Sequence, residues 1–240
     1  LNGGPTTISD QEKTTTIGIL EQIAFCIERG KVNTGSPFPP DMRGQDGADE
    51  LVKKALAEGN RPDCVLAEGL IVGMNRVGQK FSENKAFVPD LLMAAKAMSV
   101  AMARLKPFFE SGEVHHKGVF VVGTVKGDLH DISKNLLAMV VEGAGWNVIN
   151  LGVDVPAEKF ISAVKDNPGA IVGLSALLTT TMLNMEKTVE LVKKEAPETK
   201  VIVGGAPLTH EFAQKIGADG YARDPQGAVS LLASLTARKP

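Results

Sequence analysis

From Val119 onward the sequence repeats one pattern five times: a short apolar run, a polar or glycine-rich turn, then a longer run with helical spacing. The apolar runs are Val119 to Val122, Asn147 to Leu151, Ala170 to Leu174, Val201 to Val203 and Gly220 to Ala222. The helical runs after them are Asp131 to Gly143, Ala157 to Lys165, Thr180 to Lys194, His210 to Ile216 and Pro225 to Leu235. Strands that read as unbroken apolar runs are buried on both faces, and an intervening helix returns the chain to a parallel neighbour. Five such units predict a doubly wound parallel sheet covered by helices on both sides.

The expected strand order is 2-1-3-4-5, a flavodoxin-like (Rossmann-like) arrangement. Ligands of such sheets bind beyond the carboxyl ends of the strands. The loops at that rim are Gly123 to Asp131, Gly152 to Pro156, Ser175 to Thr181, Gly204 to Thr209 and Arg223 to Gln226.

The first half is helical in spacing. Ser9 and Glu12 have capping-box spacing ahead of a helix that carries Ile17 to Ile27 and stops at Gly30. Lys31 to Gln45 reads as a loop, because Gly35, Pro37, Pro39, Pro40 and Gly44 break it. Asp46 is placed to cap a helix from Ala48 to Glu58, Pro62 to open a third and Pro89 to open a fourth. The helical pattern breaks at Pro107 to Lys117. The fold class is therefore α + α/β. It comprises an N-terminal helix and Pro-rich linker (1–45), a helical bundle cap (46–111), a hinge (112–117) and the sheet domain (118–240).

Composition narrows the ligand class. Lys plus Arg is 26 against 28 Asp plus Glu, with no long basic run, so nucleic acid is not an expected partner. Nine Phe, one Trp and one Tyr are too few for a stacking platform. No apolar run approaches the ~20 residues of a membrane helix. The polar Leu1 to Lys13 stretch lacks a signal-peptide core. Cys26 and Cys64 fit structural thiols in a reducing cytoplasm better than a disulfide framework or a four-thiolate metal site.

The first rim loop holds neither Gly-x-Gly-x-x-Gly nor a Walker A pattern. It holds Asp128-x-His130 at a helix entry. A histidine so placed can give one ring N–H to the carboxylate and turn its other nitrogen outward, as metal-binding histidines do. A capping Asp beside an ordinary loop His is the competing reading. Ser175, Thr179, Thr180 and Thr181 stand where the third strand ends, and Gly204-Gly205-Ala206 where the fourth ends. Singly, these read as helix caps and a tight turn. Together on one rim they point to a bulky ligand approaching the backbone.

Asp128-Leu-His130-Asp-Ile-Ser133-Lys-Asn135, Ser175-x-Leu177 and Gly204-Gly205 resemble the cobalamin-binding module of corrinoid methyl-transfer proteins. Gly73-Met74-Asn-Arg-Val-Gly78-Gln-Lys-Phe81, with Phe87-Val-Pro89 and Met98, is similar to the helical cap preceding that module. The resemblance spans roughly residues 46 to 235. It is nearest in layout to the methanol, methylamine and aryl methyl ether corrinoid proteins, with the cobalamin portion of methionine synthase as a larger relative.

The resemblance implies cobalamin or a related corrinoid held base-off and His-on, with His130 as the metal ligand. Asp128 would hold the other ring nitrogen of His130, and Thr181 would hydrogen-bond Asp128. Gly127, Leu129, Asp131, Ile132 and Ser133 would complete the loop. Ser175, Leu177 and Thr179 would line the slot for the nucleotide tail, which would pass Gly204, Gly205 and Ala206. Ser133 stands where the family pattern has glycine, which bears on tail geometry. Met74 and Phe81 would lie near the upper face of the corrin, and Gly69, Gly73 and Gly78 would either pack helices closely or smooth that face.

The implied role is a methyl carrier. It accepts a methyl group on Co(I) from a donor methyltransferase and passes it from methyl-Co(III) to an acceptor, such as tetrahydrofolate or a thiol, on an acceptor methyltransferase. A reductive activase is a further expected partner, and residues 1–45 leave room for partner docking or a homodimer. Alternatives are a mutase small subunit, a cobalamin-based sensor module and a metal-free binding module.

Overall fold

The computed structural model describes residues 17–237. The Ser9 and Glu12 pair lies outside the described residues. The first half comprises α1 (Ile19–Glu28), α2 (Ala48–Ala57), α3 (Pro62–Cys64), a π-helical segment (Val65–Leu70), α4 (Ile71–Ser82) and α5 (Val88–Glu110). The second comprises β1 (Val119–Thr124), α6 (Ile132–Gly143), β2 (Asn147–Asn150), α7 (Ala157–Asp166), β3 (Ile171–Ser175), α8 (Met182–Glu195), β4 (Val201–Gly204), α9 (His210–Lys215), β5 (Gly220–Ala222) and α10 (Pro225–Thr236).

The sheet is parallel throughout, in the order β2-β1-β3-β4-β5. Alternation along the strands divides the core. Phe120, Val122, Ile171 and Ile202 face α6 and α10, where Leu136, Val140, Ala228 and Leu232 meet them. Val121, Val172, Val201 and Val203 face the other way, against Phe160, Met185 and Ala213 of α7, α8 and α9. Strands β1, β3 and β4 run on to Thr124, Ser175 and Gly204, just past the apolar runs, so polar rim residues still lie in ladder positions. The run from Thr180 divides into a 3-10 turn (Thr179–Thr181) and α8.

The bundle departs from the sequence expectations in two places. Gly47, not Asp46, caps α2. The Glu50 carboxylate accepts the Gly47 N–H at 3.0 Å, and a Cβ at 47 would meet the Asn33 nitrogen at 2.4 Å. Asp46 instead accepts from the Thr34 hydroxyl. Second, α5 runs through Pro107 to Glu110. The carbonyl that Pro107 cannot bond belongs to Ala103, which is exposed, so water satisfies it.

α1 packs on the bundle: Ile23, Ala24 and Ile27 are buried against Gly69 and Gly73. Of the two readings open for the glycines of the third helix, the structure takes close packing. A Cβ on Gly73 would come within 2.5 Å of the Ala24 carbonyl, and one on Gly78 within 2.0 Å of Gln226 on α10.

The bundle is seated on the α6–α10 layer. α5 packs along α6, α4 packs against α10, and Ser82 donates to Asp224 at 3.1 Å. The connection is anchored: Val114 is buried, His116 stacks on Phe109 at 4.4 Å, and the Lys117 N–H reaches the Gly145 carbonyl at 2.9 Å.

Candidate corrinoid site

The rim beyond β1 and β3 is organised around one carboxylate. Asp128 is fully buried. Its Oδ1 accepts the His130 backbone N–H at 3.1 Å and lies 2.8 Å from His130 Nδ1. Its Oδ2 accepts the Leu177 N–H at 2.7 Å, the Thr181 hydroxyl at 2.7 Å and, more weakly, the Leu178 N–H at 3.3 Å. Burial alone would raise the pKa of this carboxyl, but the bonds from Leu177, Thr181 and His130 outweigh it and hold it well below the usual carboxylate range. Asp128 is therefore an anion at neutral pH. An anion cannot donate, so the ring proton of a neutral His130 sits on Nδ1 and the lone pair sits on Nε2. The His130 side chain is half exposed, at 50 %.

The loop carrying this pair is held from several sides. The buried Thr124 hydroxyl donates to the His130 carbonyl at 2.8 Å. Gly127 has φ +84°, and its N–H reaches Asp154 Oδ1 at 2.7 Å. The Asp154 N–H returns to the Asp128 carbonyl at 3.0 Å, and Asn184 donates to the Lys126 carbonyl at 2.8 Å. Thr124, Asp154 and Asn184 were not singled out from sequence. Asp154 lies in an expected rim loop, but its φ of +52° and its span to Gly127 are tertiary facts with no sequence signal.

Beside the pair, between α6 and α10, lies a cavity of about 360 Å³. Ser133, Ser175, Leu177, Gly204, Gly205 and Ala206 all line it. Tyr221, Arg223 and Asp224 form its far wall. Gly205 has φ +137°, and a Cβ there would come within 1.8 Å of the Ala176 carbonyl. Its first task is thus to let the β3 and β4 loops touch. The remaining loop residues sit at the open rim: Leu129 and Ile132 are exposed, Asp131 precedes α6 and accepts from Asn135, and Thr179 begins the 3-10 turn.

Met74 is not brought to this rim. Met74 is buried against Gly143, at the far end of α6 and about 16 Å along that helix from Ile132. Phe81 is half-buried against the bundle core. Met74 packs deep in the bundle, whereas the C-terminal end of α4, which carries Phe81, reaches the cavity wall through the Ser82–Asp224 bond.

A B12 binding domain family matches residues 118–230, and a second B12 binding domain family matches residues 44–106. The dimethylamine corrinoid protein of Methanosarcina barkeri is 42 % identical over 190 residues, 78 % of this chain and 89 % of that one. The chain belongs to the corrinoid proteins. A corrinoid protein of Desulfitobacterium hafniense is 39 % identical over 192 residues, 78 % of this chain and 89 % of its own. Among solved structures, a cobalamin-binding protein from D. hafniense superposes with TM-score 0.71 at 29 % identity, covering 90 % of this chain and 98 % of that one. The methanol:cobalamin methyltransferase complex MtaBC of M. barkeri gives 0.76 at 26 %, covering 92 % and 80 %. No helix among the described residues is long and apolar enough to cross a membrane.

Proposed function

We propose that this corrinoid protein is a methyl carrier between two methyltransferases. The tail of its corrinoid would be extended into the cavity, and His130 Nε2 would hold cobalt from below. The Asp128–His130 pair carries the reading, since it presents one imidazole nitrogen of defined protonation at the open rim. The donor set also suits the group. Among the described residues no cluster of three or more His, Cys, Asp or Glu could hold a bare ion. A metal here must therefore arrive with its own equatorial ligands, as a corrin supplies them. The relatives named for dimethylamine, and the methanol complex, support a donor methyltransferase acting on a small methylated compound. The acceptor would be tetrahydrofolate or a thiol on a second enzyme, with a reductive activase restoring oxidised protein.

When bound, the corrinoid supplies a cobalt centre that takes up and releases a methyl cation. The chain's own part is positional. Asp128 keeps the proton on Nδ1, and so keeps Nε2 available. Leu177, Leu178 and Thr181 keep Asp128 charged. Thr124 and Asp154 keep the loop from following the ring.

The test is reconstitution with hydroxocobalamin and reduction to Co(II). Electron paramagnetic resonance should show nitrogen splitting that changes from triplet to doublet when histidine is labelled with ¹⁵N, and that disappears in His130→Ala. Splitting indifferent to the label would mean that the cofactor's own base is the ligand.

A further inference from the structure

The cavity wall contains three charged side chains, and two of them are already engaged. Asp224 accepts the Gly227 N–H at 2.8 Å, capping α10, and also accepts from Ser82. Lys134 is buried, with its ammonium held by the side-chain oxygens of Asn135 and Asn150. Arg223, on the turn between β5 and α10, lines the same cavity and is exposed. Among the described residues it makes no hydrogen bond or ion pair within the chain. The hydroxyls of Ser133, Ser175 and Tyr221, which line the cavity with it, have no internal partner either. A cavity whose one uncommitted charge is cationic, accompanied by neutral hydroxyls, is built for an anion joined to a polar, hydroxyl-bearing group.

We infer that Arg223 is a specificity-determining residue for the corrinoid tail, pairing with its phosphodiester while the hydroxyls of Ser133 and Tyr221 meet the adjoining sugar. The assignment rests on the corrinoid reading and refines it. Arg223 makes this chain select corrinoids that carry a complete nucleotide loop over those that lack one. A guanidinium suits the task because it presents paired donors to two phosphate oxygens and keeps its charge at every working pH. Its exposed position lets it reach the tail after the corrin has docked, so it acts on retention of the tail rather than on cobalt ligation.

The experiment compares two probes on the full apo chain: hydroxocobalamin, and cobinamide, which lacks the phosphate, sugar and base. Dissociation constants come from the visible spectrum. Arg223→Gln should weaken hydroxocobalamin binding about tenfold, the usual scale for one charge-assisted hydrogen bond, and leave cobinamide binding unchanged. Arg223→Lys should recover part of the loss, and Arg223→Glu should exceed it. Thermal unfolding of each apo variant should match wild type, because the side chain makes no internal bond. Equal losses for both probes, or no loss for hydroxocobalamin, would overturn the assignment and leave the corrinoid reading standing. If wild type binds neither probe, both fail.

Discussion

The His130 loop and the neighbouring cavity share a rim but are built on opposite principles. In the loop every oxygen of Asp128 is engaged, and its backbone is tied by Thr124, Asp154 and Asn184. In the cavity the lining hydroxyls and Arg223 are unengaged, and glycines replace side chains along one wall. A metal ligand must be held in one orientation and one tautomer before the metal arrives, so its cost of ordering is met during folding. A long, flexible tail needs room and donors left free for it. On the proposed reading, pre-organisation and vacancy of hydrogen-bond capacity would be two solutions to two binding problems, a few residues apart.

The contrast can be broken most sharply at Gly205. Gly205→Ala adds a methyl where the Ala176 carbonyl already lies, at a φ that disfavours any side chain. It should cost about 3 kcal/mol or more of apo stability, read from urea unfolding, and should close the cavity to the tail. Asp128→Asn comes next. The amide must turn an NH2 toward donors on one side, so at least one buried donor loses its acceptor, for about 2 kcal/mol.

That penalty should depend on pH. The folded-state pKa of Asp128 is depressed below its unfolded value, so its stabilisation is full above the ordinary carboxylate range and is lost as pH falls through and below it. The gap between wild type and Asp128→Asn should therefore narrow between neutral pH and about pH 3. A gap that stays constant would show that the charge of Asp128 contributes nothing. His130→Ala should change apo stability by less than about 1 kcal/mol, since half the side chain is exposed and the carboxylate keeps its other donors. Ser133→Gly should have the smallest effect, about 0.5 kcal/mol, mainly from the lower helix propensity of glycine.

Much of the second half was legible in the sequence because its signals are local. Unbroken apolar runs and glycine-bounded turns specify buried parallel strands, and the observed order β2-β1-β3-β4-β5 is the flavodoxin-like one expected by analogy. Asp128 and His130 were legible as a motif and Thr181 through the family resemblance, and the structure brings all three within hydrogen-bond distance. The bundle was legible only as a set of helices. Gly73 and Gly78 announce that something lies close to α4, but not whether it is a cofactor, α1 or α10. Met74 looks the same from sequence whether it faces a corrin or Gly143. Pro107 reads as a helix stop, and only the exposure of Ala103 explains why α5 continues past it.

The sequence by itself determined the βα alternation, the rim on which a ligand must sit and the residue pair able to present an imidazole there. These depend on periodicity and on neighbours two residues apart, which a linear chain already encodes. The seating of the bundle on α6 and α10, the burial that makes Asp128 a committed anion and the position of Arg223 on the cavity wall with no partner among the described residues were decided only by tertiary structure. Each depends on which groups from distant segments meet. Burial and hydrogen-bond satisfaction are properties of that meeting rather than of any one stretch of chain.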